Sequence, residues 1–462
     1  MGSTAATPDS PPPASDSTAG PGAAAPDAPA LAAVPLRVDA RVIGLIALAH
    51  GVSHLCQLLL PPLFPWLKEA FGVGYTELGF LMAVFFTVSC GVQATSGFVV
   101  DRRGPLPVLV VGLGLLGLAA FGMAAASSYA MLAAWVVVAG VGNGVFHPVD
   151  YTLINRKVSA RRLGHAYSLH AVSGSLGWAV APVLMVGIAV ASSWRVALAV
   201  GGVVAWAVLA VIVLQRHRLV LEPDGRTSEA AGAPAGAGAG AGAAPATPAA
   251  AALRPGTAAG PGGSGTFAFL RLPSVWMCFA FFFFSACILS GVQAFAPEAA
   301  RQLHGVPLGL VAVCLTTYMA CSAVGGLAGG FLAVDPQRSE RVVALSFGMA
   351  AVLSLSLAML PVPALAVPVL FGAMGLSVGL AGPSRDLIIK RSTPSQASGR
   401  VYGVVYSGLD IGQAIAPLAF GPLMDAGRHR SVWLLLVALQ LTLIATALNV
   451  RRAAHPDPER PA

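Results

Sequence analysis

The segment 148-PVDYTLINRKVSARRLGHAYSLHAVSGSLGWAVAP-182 lies without a gap over 383-PSRDLIIKRSTPSQASGRVYGVVYSGLDIGQAIAP-417 when the chain is shifted by 235 positions. Nine of the 35 aligned positions are identical, among them Pro148/Pro383, Arg156/Arg391, Gly164/Gly399, Tyr167/Tyr402, Gly177/Gly412 and Pro182/Pro417. Shared apolar composition does not by itself align Pro, Gly and Arg in one register. The chain therefore reads as two related halves. Between them lies 227-TSEAAGAPAGAGAGAGAAPATPAAAALRPGTAAGPGGSG-265, a low-complexity run that cannot build a core and reads as a flexible linker.

Each half is greasy. Of 462 residues 56% are hydrophobic and 10% charged, where a soluble chain carries about a quarter charged. No Asp, Glu, Lys or Arg occurs in 42–67, 78–100, 104–149, 163–194, 196–215, 272–297, 302–334, 342–384, 411–424 or 431–450. A membrane-spanning helix needs about 20 apolar residues, so 104–149 and 342–384 hold two each, turning at Ser127-Ser128 and Pro361-Val362-Pro363. The expected fold is an all-α integral membrane protein with twelve transmembrane helices in two six-helix pseudo-repeats. The eleventh helix starts near Gly399 and contains Asp410. The segments are a disordered tail (1–36), a first bundle (37–215), a linker (216–271), a second bundle (272–452) and a short tail (453–462). Residues 1–35 lack the early basic residue of a signal peptide. The six cysteines fall inside helices without metal-site spacing and read as packing residues.

The net charge of +8 is a topology signal and not a nucleic-acid footprint. With the N-terminus inside, Lys68, Arg195, Arg301, Arg428 and Arg430 fall outside and Arg385 within a helix, while the rest of the 27 basic residues are cytoplasmic. Both tails and the linker are then cytoplasmic, and the expected location is the inner membrane. Parallel six-helix repeats are a common plan of secondary transporters, with the substrate site between the halves.

The loop 97-GFVVDRRGP-105 resembles motif A of the major facilitator superfamily at Gly97, Asp101, Arg102 and Gly104, with Pro105 departing where a basic residue is usual. The resemblance implies an inner gate that locks the halves together on the cytoplasmic side. There Gly97 would permit close helix packing, and Asp101 would meet a helix N-terminus or an arginine. The stretches 50-HGVSH-54, 60-LPPLFPWL-67, 71-FGVGYTELG-79 and 142-GNGVFHP-148 are similar to the fosmidomycin-resistance branch, which implies proton-driven export of small molecules. Gly174, Gly177, Ala181, Pro182 and Gly187 look like a degraded motif C, the glycine-rich antiporter pattern, and equally suit plain helix packing.

Polar residues at depth are the candidate site. His50, His54, Gln57 and Pro61 follow i, i+4, i+7, i+11, one helical face expected to point into the cleft between the halves. The prolines Pro61, Pro62 and Pro65 kink or end the outer part of that helix. The His-x-x-x-His pair lacks the Glu of a metalloprotease helix, so no metal is assigned. Asp410, about eleven residues into its helix, is expected to carry a proton or touch substrate. Arg385 would bind an anion in the cleft or neutralise a carboxylate, and His147 would line the path. Asp150 is expected to pair with Arg102 or Arg103 in the inner gate. No cofactor is assigned, and without Gly-x-x-x-x-Gly-Lys-Ser/Thr, ATP is not the fuel.

The leading reading is a monomeric, proton-coupled exporter of a small compound, for which the histidines and Arg385 suit an anion. Inward symport of a small organic acid with protons is the alternative mechanism. A non-transporting membrane sensor and an intramembrane metalloenzyme are the alternatives of other classes.

Overall fold

The computed structural model describes residues 35–221, 273–332, 339–392 and 398–454. The N-terminal tail, nearly all of the linker and the end of the C-terminal tail lie outside the described residues. The first half contains α1 (Leu36–Gln57), α2 (Phe64–Phe71), α3 (Tyr75–Arg103), α4 (Pro105–Ala124), α5 (Tyr129–Asn143), α6 (Phe146–Lys157), α7 (Leu163–Ala191) and α8 (Trp194–Leu214). The second contains α9 (Pro273–Ala294), α10 (Ala296–His304), α11 (Leu308–Leu332), α12 (Ser339–Met359), α13 (Val367–Ser392), α14 (Ser398–Asp425) and α15 (His429–Ala454). With α1–α2, α5–α6 and α9–α10 each counted as one crossing, these make twelve. Eleven are apolar enough to span a bilayer by length and composition. The twelfth, α14, is 28 residues long and carries Asp410.

Local chemistry sets the boundaries. Pro61–Leu63 form a 3-10 turn, and α2 ends on Gly72 in the left-handed region (φ 63°), so the three prolines bend the first crossing near its end, as expected. Ser128 and Ser193 cap α5 and α8 by accepting from the amides of Met131 and Val196. Pro182 and Pro417, equivalent in the repeat, both sit inside long helices. Pro417 has no N–H for the carbonyl of Gln413, and the Ser290 hydroxyl donates to that oxygen instead at 3.4 Å. Phe98, Val111, Phe331, Leu345 and Val369 are all more than half exposed, the outer apolar surface expected to face lipid.

Small residues set the helix separations. A Cβ on Gly177 of α7 would stand 2.0 Å from the Gly51 carbonyl oxygen of α1. In the second half Gly325 and Gly329 of α11 press against the Leu376 and Leu380 carbonyls of α13, so these glycines pack helices as their sequence context suggests. Gly97 behaves otherwise: no atom lies within 4 Å of where its Cβ would be, so the packing role expected for it is absent from this conformation.

Two seams join the halves, α3 with α14 and α7 with α11. On the first, Gly79 meets the Pro417 carbonyl and Gly421 meets Tyr75 and Thr76. On the second, the Thr316 hydroxyl donates to the Ala179 carbonyl at 2.7 Å. Phe64 of the first half meets Phe295 of the second in a tilted contact, centroids 6.0 Å apart, and Phe295 stacks on Phe420 at 5.9 Å.

These contacts separate two glycines of one helix. Gly177→Ala should lower the melting temperature of the purified protein, since overpacking costs about 1–3 kcal/mol. Gly187→Ala, with nothing within 4 Å, should leave it unchanged or raise it. Equal melting temperatures would show that α1 and α7 are not in the close contact described.

Candidate functional site

The polar stripe of α1 turns into the first bundle and not into the cleft. His50 and His54 are only 2% and 5% exposed. The reason is α7: Gly174 and Gly177 bring its backbone so close that both imidazoles tuck under it, and a Cβ on Gly174 would stand 2.7 Å from the His54 ring. His50 Nδ1 lies 3.0 Å from Asp150 Oδ2, and His170 Nε2 lies 3.2 Å from the same oxygen. The His50 and His170 rings stack at 3.5 Å. His147, one turn before Asp150 on α6, completes the group with its ring 5.3 Å from His50. Asp150 is fully buried. It is a partner of histidines, not of Arg102 or Arg103, because α6 carries it into the bundle interior.

A second chain of hydrogen bonds runs beside the first. Gln57 Nε2 donates to Asn143 Oδ1 at 3.1 Å, Asn143 Nδ2 donates to Ser89 Oγ at 2.8 Å, and Trp178 Nε1 donates to Gln57 Oε1 at 3.0 Å. The Trp178 ring also lies 4.2 Å from His54. Trp178 links these networks to a cavity between the halves, bordered on the first half by Ser175 and Trp178 and on the second by Ser285, Tyr318, Ser322 and Phe347. Its lining mixes hydroxyls with aromatic and apolar side chains, the composition of a small-molecule site. Among the described residues the buried Tyr318 hydroxyl has no partner, which leaves it available to a ligand.

Asp410 stands on a seam. Gln93 Nε2 of α3 donates to its Oδ2 at 3.4 Å, and the Cys90 thiol of the same helix faces it. In the repeat Asp410 is equivalent to Ser175, so α7 and α14 present corresponding positions to the interior. The side chain of Arg385 on α13 lies outside the described residues.

The two ends of the seams differ. At the Tyr75 end, Asp425 of α14 accepts from the Tyr75 amide (2.6 Å), the Thr76 amide (2.8 Å) and the Thr76 hydroxyl (2.6 Å), with Lys68 at 4.0 Å. A carboxylate thus caps the first turn of α3 from the other half. Burial pushes this carboxyl up, but the Thr76 hydroxyl, the two amides and Lys68 outweigh it and hold it below the ordinary carboxylate range. At the motif-like end, Asp101 and Arg102 are exposed and, among the described residues, make no hydrogen bond or ion pair. Gly104, with φ 79°, links α3 to α4 in the left-handed half of backbone space.

Sequence reasoning missed His170, Trp178, Asn143 and Asp425. His170 had a legible signal, since with Gly174, Gly177 and Ala181 it forms one stripe along α7. Asp425 had none, because two of its three donors are backbone amides about 350 residues away.

The sequence profile of the Major Facilitator Superfamily matches residues 46–417. The fosmidomycin resistance protein of Escherichia coli (strain K12) is 29% identical over 180 residues, 38% of this chain and 42% of that protein. The MFS-type transporter YfnC of Bacillus subtilis (strain 168) is 29% identical over 143 residues, 31% of this chain and 35% of that protein. The matched regions thus span well under half the length of these relatives. A bacterial homolog of the human lysosomal transporter Spinster, solved in an inward-facing and occupied conformation, superposes with a TM-score of 0.65 at 14% identity. It covers 91% of this chain and 96% of its own, a likeness of fold.

The Asp425 clasp has a defined pH behaviour. A carboxyl with a lowered pKa contributes to the clasped state fully above the ordinary value of about 3.9 and loses that contribution as pH falls through the lowered one. Spin labels at Ser127 and Arg430 should therefore give one distance distribution from pH 5 to 8. Asp425→Asn should add longer distances at every pH in that range. An unchanged distribution in the variant would remove Asp425 from the clasp.

Proposed function

The chain belongs to the Major Facilitator Superfamily, and from that premise we propose that it is a secondary active transporter that exports a small anionic compound in exchange for protons. The observation that carries the coupling is the position of Asp410. It sits at membrane depth on α14 and faces Cys90 and Gln93 of α3 across a seam between the halves. A carboxylate there costs a few kcal/mol unless it is paired or protonated. When the halves rock, its partners change, so its affinity for a proton changes with the state, as a coupling group requires. The substrate is assigned to the cavity beside Trp178, Ser175 and Tyr318. His54 and Gln57 hold Trp178 in place.

The direction of transport rests on the relative named for fosmidomycin resistance, which makes fosmidomycin the probe. The inner gate at Asp101 and Arg102 is the loose end in this conformation, and the Asp425 clasp is the closed outer end. That assignment puts both termini and the 216–271 linker in the cytoplasm, with the chain in the inner membrane. It is supported by the distribution of Lys and Arg.

Two experiments test this reading. In proteoliposomes, Asp410→Asn should cut fosmidomycin accumulation driven by a pH gradient at least tenfold, while exchange at equal pH stays within about twofold. These effects correspond to about 1.4 kcal/mol or more, and to less than about 0.5 kcal/mol. A gradient still fully effective in the variant would make Asp410 structural, and no transport of the probe by the wild type would overturn fosmidomycin-like export. For topology, a cysteine placed in the linker of a cysteine-free chain should resist an impermeant reagent on intact cells and react after permeabilisation. Ready labelling of intact cells would invert the orientation.

A further inference from the structure

We infer that His50, His147, His170 and Asp150 form a binding site for one divalent transition-metal ion of the zinc class, a resident ion that ties α1, α6 and α7 together inside the first bundle. Three histidines from three helices offer nitrogens that all lie within 4.8 Å of one another. Tetrahedral bonds of about 2.1 Å hold ligand atoms roughly 3.4 Å apart, so the set closes on an ion with a shift of at most about 1.4 Å. His147 and Asp150 are three residues apart on α6 and share its face. Imidazole with one carboxylate is a donor set that suits zinc, cobalt or nickel and not magnesium or calcium.

Leftover buried lone pairs favour an ion over a simple polar knot. His50 Nδ1 and His170 Nε2 both aim at one oxygen, Oδ2 of Asp150. Its other oxygen and His147 Nδ1 are buried without a protein partner. One carboxylate oxygen can accept from both rings, so the two hydrogen bonds alone do not call for an ion. The buried lone pairs left over, on Asp150 Oδ1 and His147 Nδ1, are what a shared cation would use. The enclosure argues for a resident ion and against cargo: His50, His170 and Asp150 are at most 2% exposed. His54 lies outside the set, so the site is distinct from the His-x-x-x-His spacing visible in the sequence.

The test uses the full chain purified without affinity histidines and stripped with a chelator. Equilibrium dialysis should give one Zn²⁺ per chain, and Co²⁺ should produce the visible absorption of a low-coordinate nitrogen–oxygen site. Zn²⁺ should raise the melting temperature of the wild type. His170→Asn and Asp150→Asn, each checked for a monodisperse elution profile, should weaken Zn²⁺ binding at least about 100-fold and lose the thermal shift. His165→Ala, at an exposed position, should change neither. Less than one Zn²⁺ per chain in the wild type would overturn the proposal. So would unaltered affinity in a folded His170→Asn variant. If Asp150→Asn does not fold, the wild-type stoichiometry and the His170→Asn affinity decide the matter.

Discussion

Inside a bilayer no water is at hand to satisfy a polar group, and this one constraint shapes the molecule from backbone to site. It makes every described crossing helical. It also sends the polar side chains of otherwise apolar helices toward protein. The first bundle obeys it most visibly: the imidazoles of three helices gather around Asp150, and Gln57, Asn143, Ser89 and Trp178 complete one another's hydrogen bonds. That gathering is possible because glycines on α7 let α1 come within backbone contact. Close packing and polar satisfaction are therefore one device here and not two.

The second bundle is built on the same repeat but uses it differently. Its close contacts run between α11 and α13 and between α9 and α14, through glycines pressed on carbonyls. Asp410, an ionisable group of α14, looks across a seam instead of into its own bundle. One half thus carries a dense internal polar core, and the other presents its charge to the partner. If the halves move against one another as proposed, that division suits a rigid first half and a second half whose environment changes as the seams open.

Much of the architecture could be read directly from the chain, because membrane helices advertise themselves by charge-free length and the repeat survives in Pro, Gly and Arg. The turns at Ser127-Ser128 and Pro361-Val362-Pro363 and the placement of Asp410 within α14 follow from the same signals. The site was half legible. Spacing put His50, His54 and Gln57 on one face but could not say which neighbour that face meets. Helical periodicity fixes a direction around one axis, and the answer depended on glycines 120 residues later. Asp150 misled for a related reason: it was expected to meet Arg102 or Arg103 in the gate, whereas α6 turns the carboxylate inward. The Asp425 contact was invisible because a backbone amide has no residue type.

That last point bears on how the clasp tolerates variation. Two of its three donors are main-chain N–H groups of Tyr75 and Thr76, which every residue except proline supplies. Drift at positions 75 and 76 would therefore erase little beyond one hydroxyl, while a change at position 425 removes the acceptor for all three. The contact is a one-sided restraint on divergence. Among relatives that share it, an acidic residue should persist at the end of α14 opposite a helix start whose donating amides do not depend on side-chain identity.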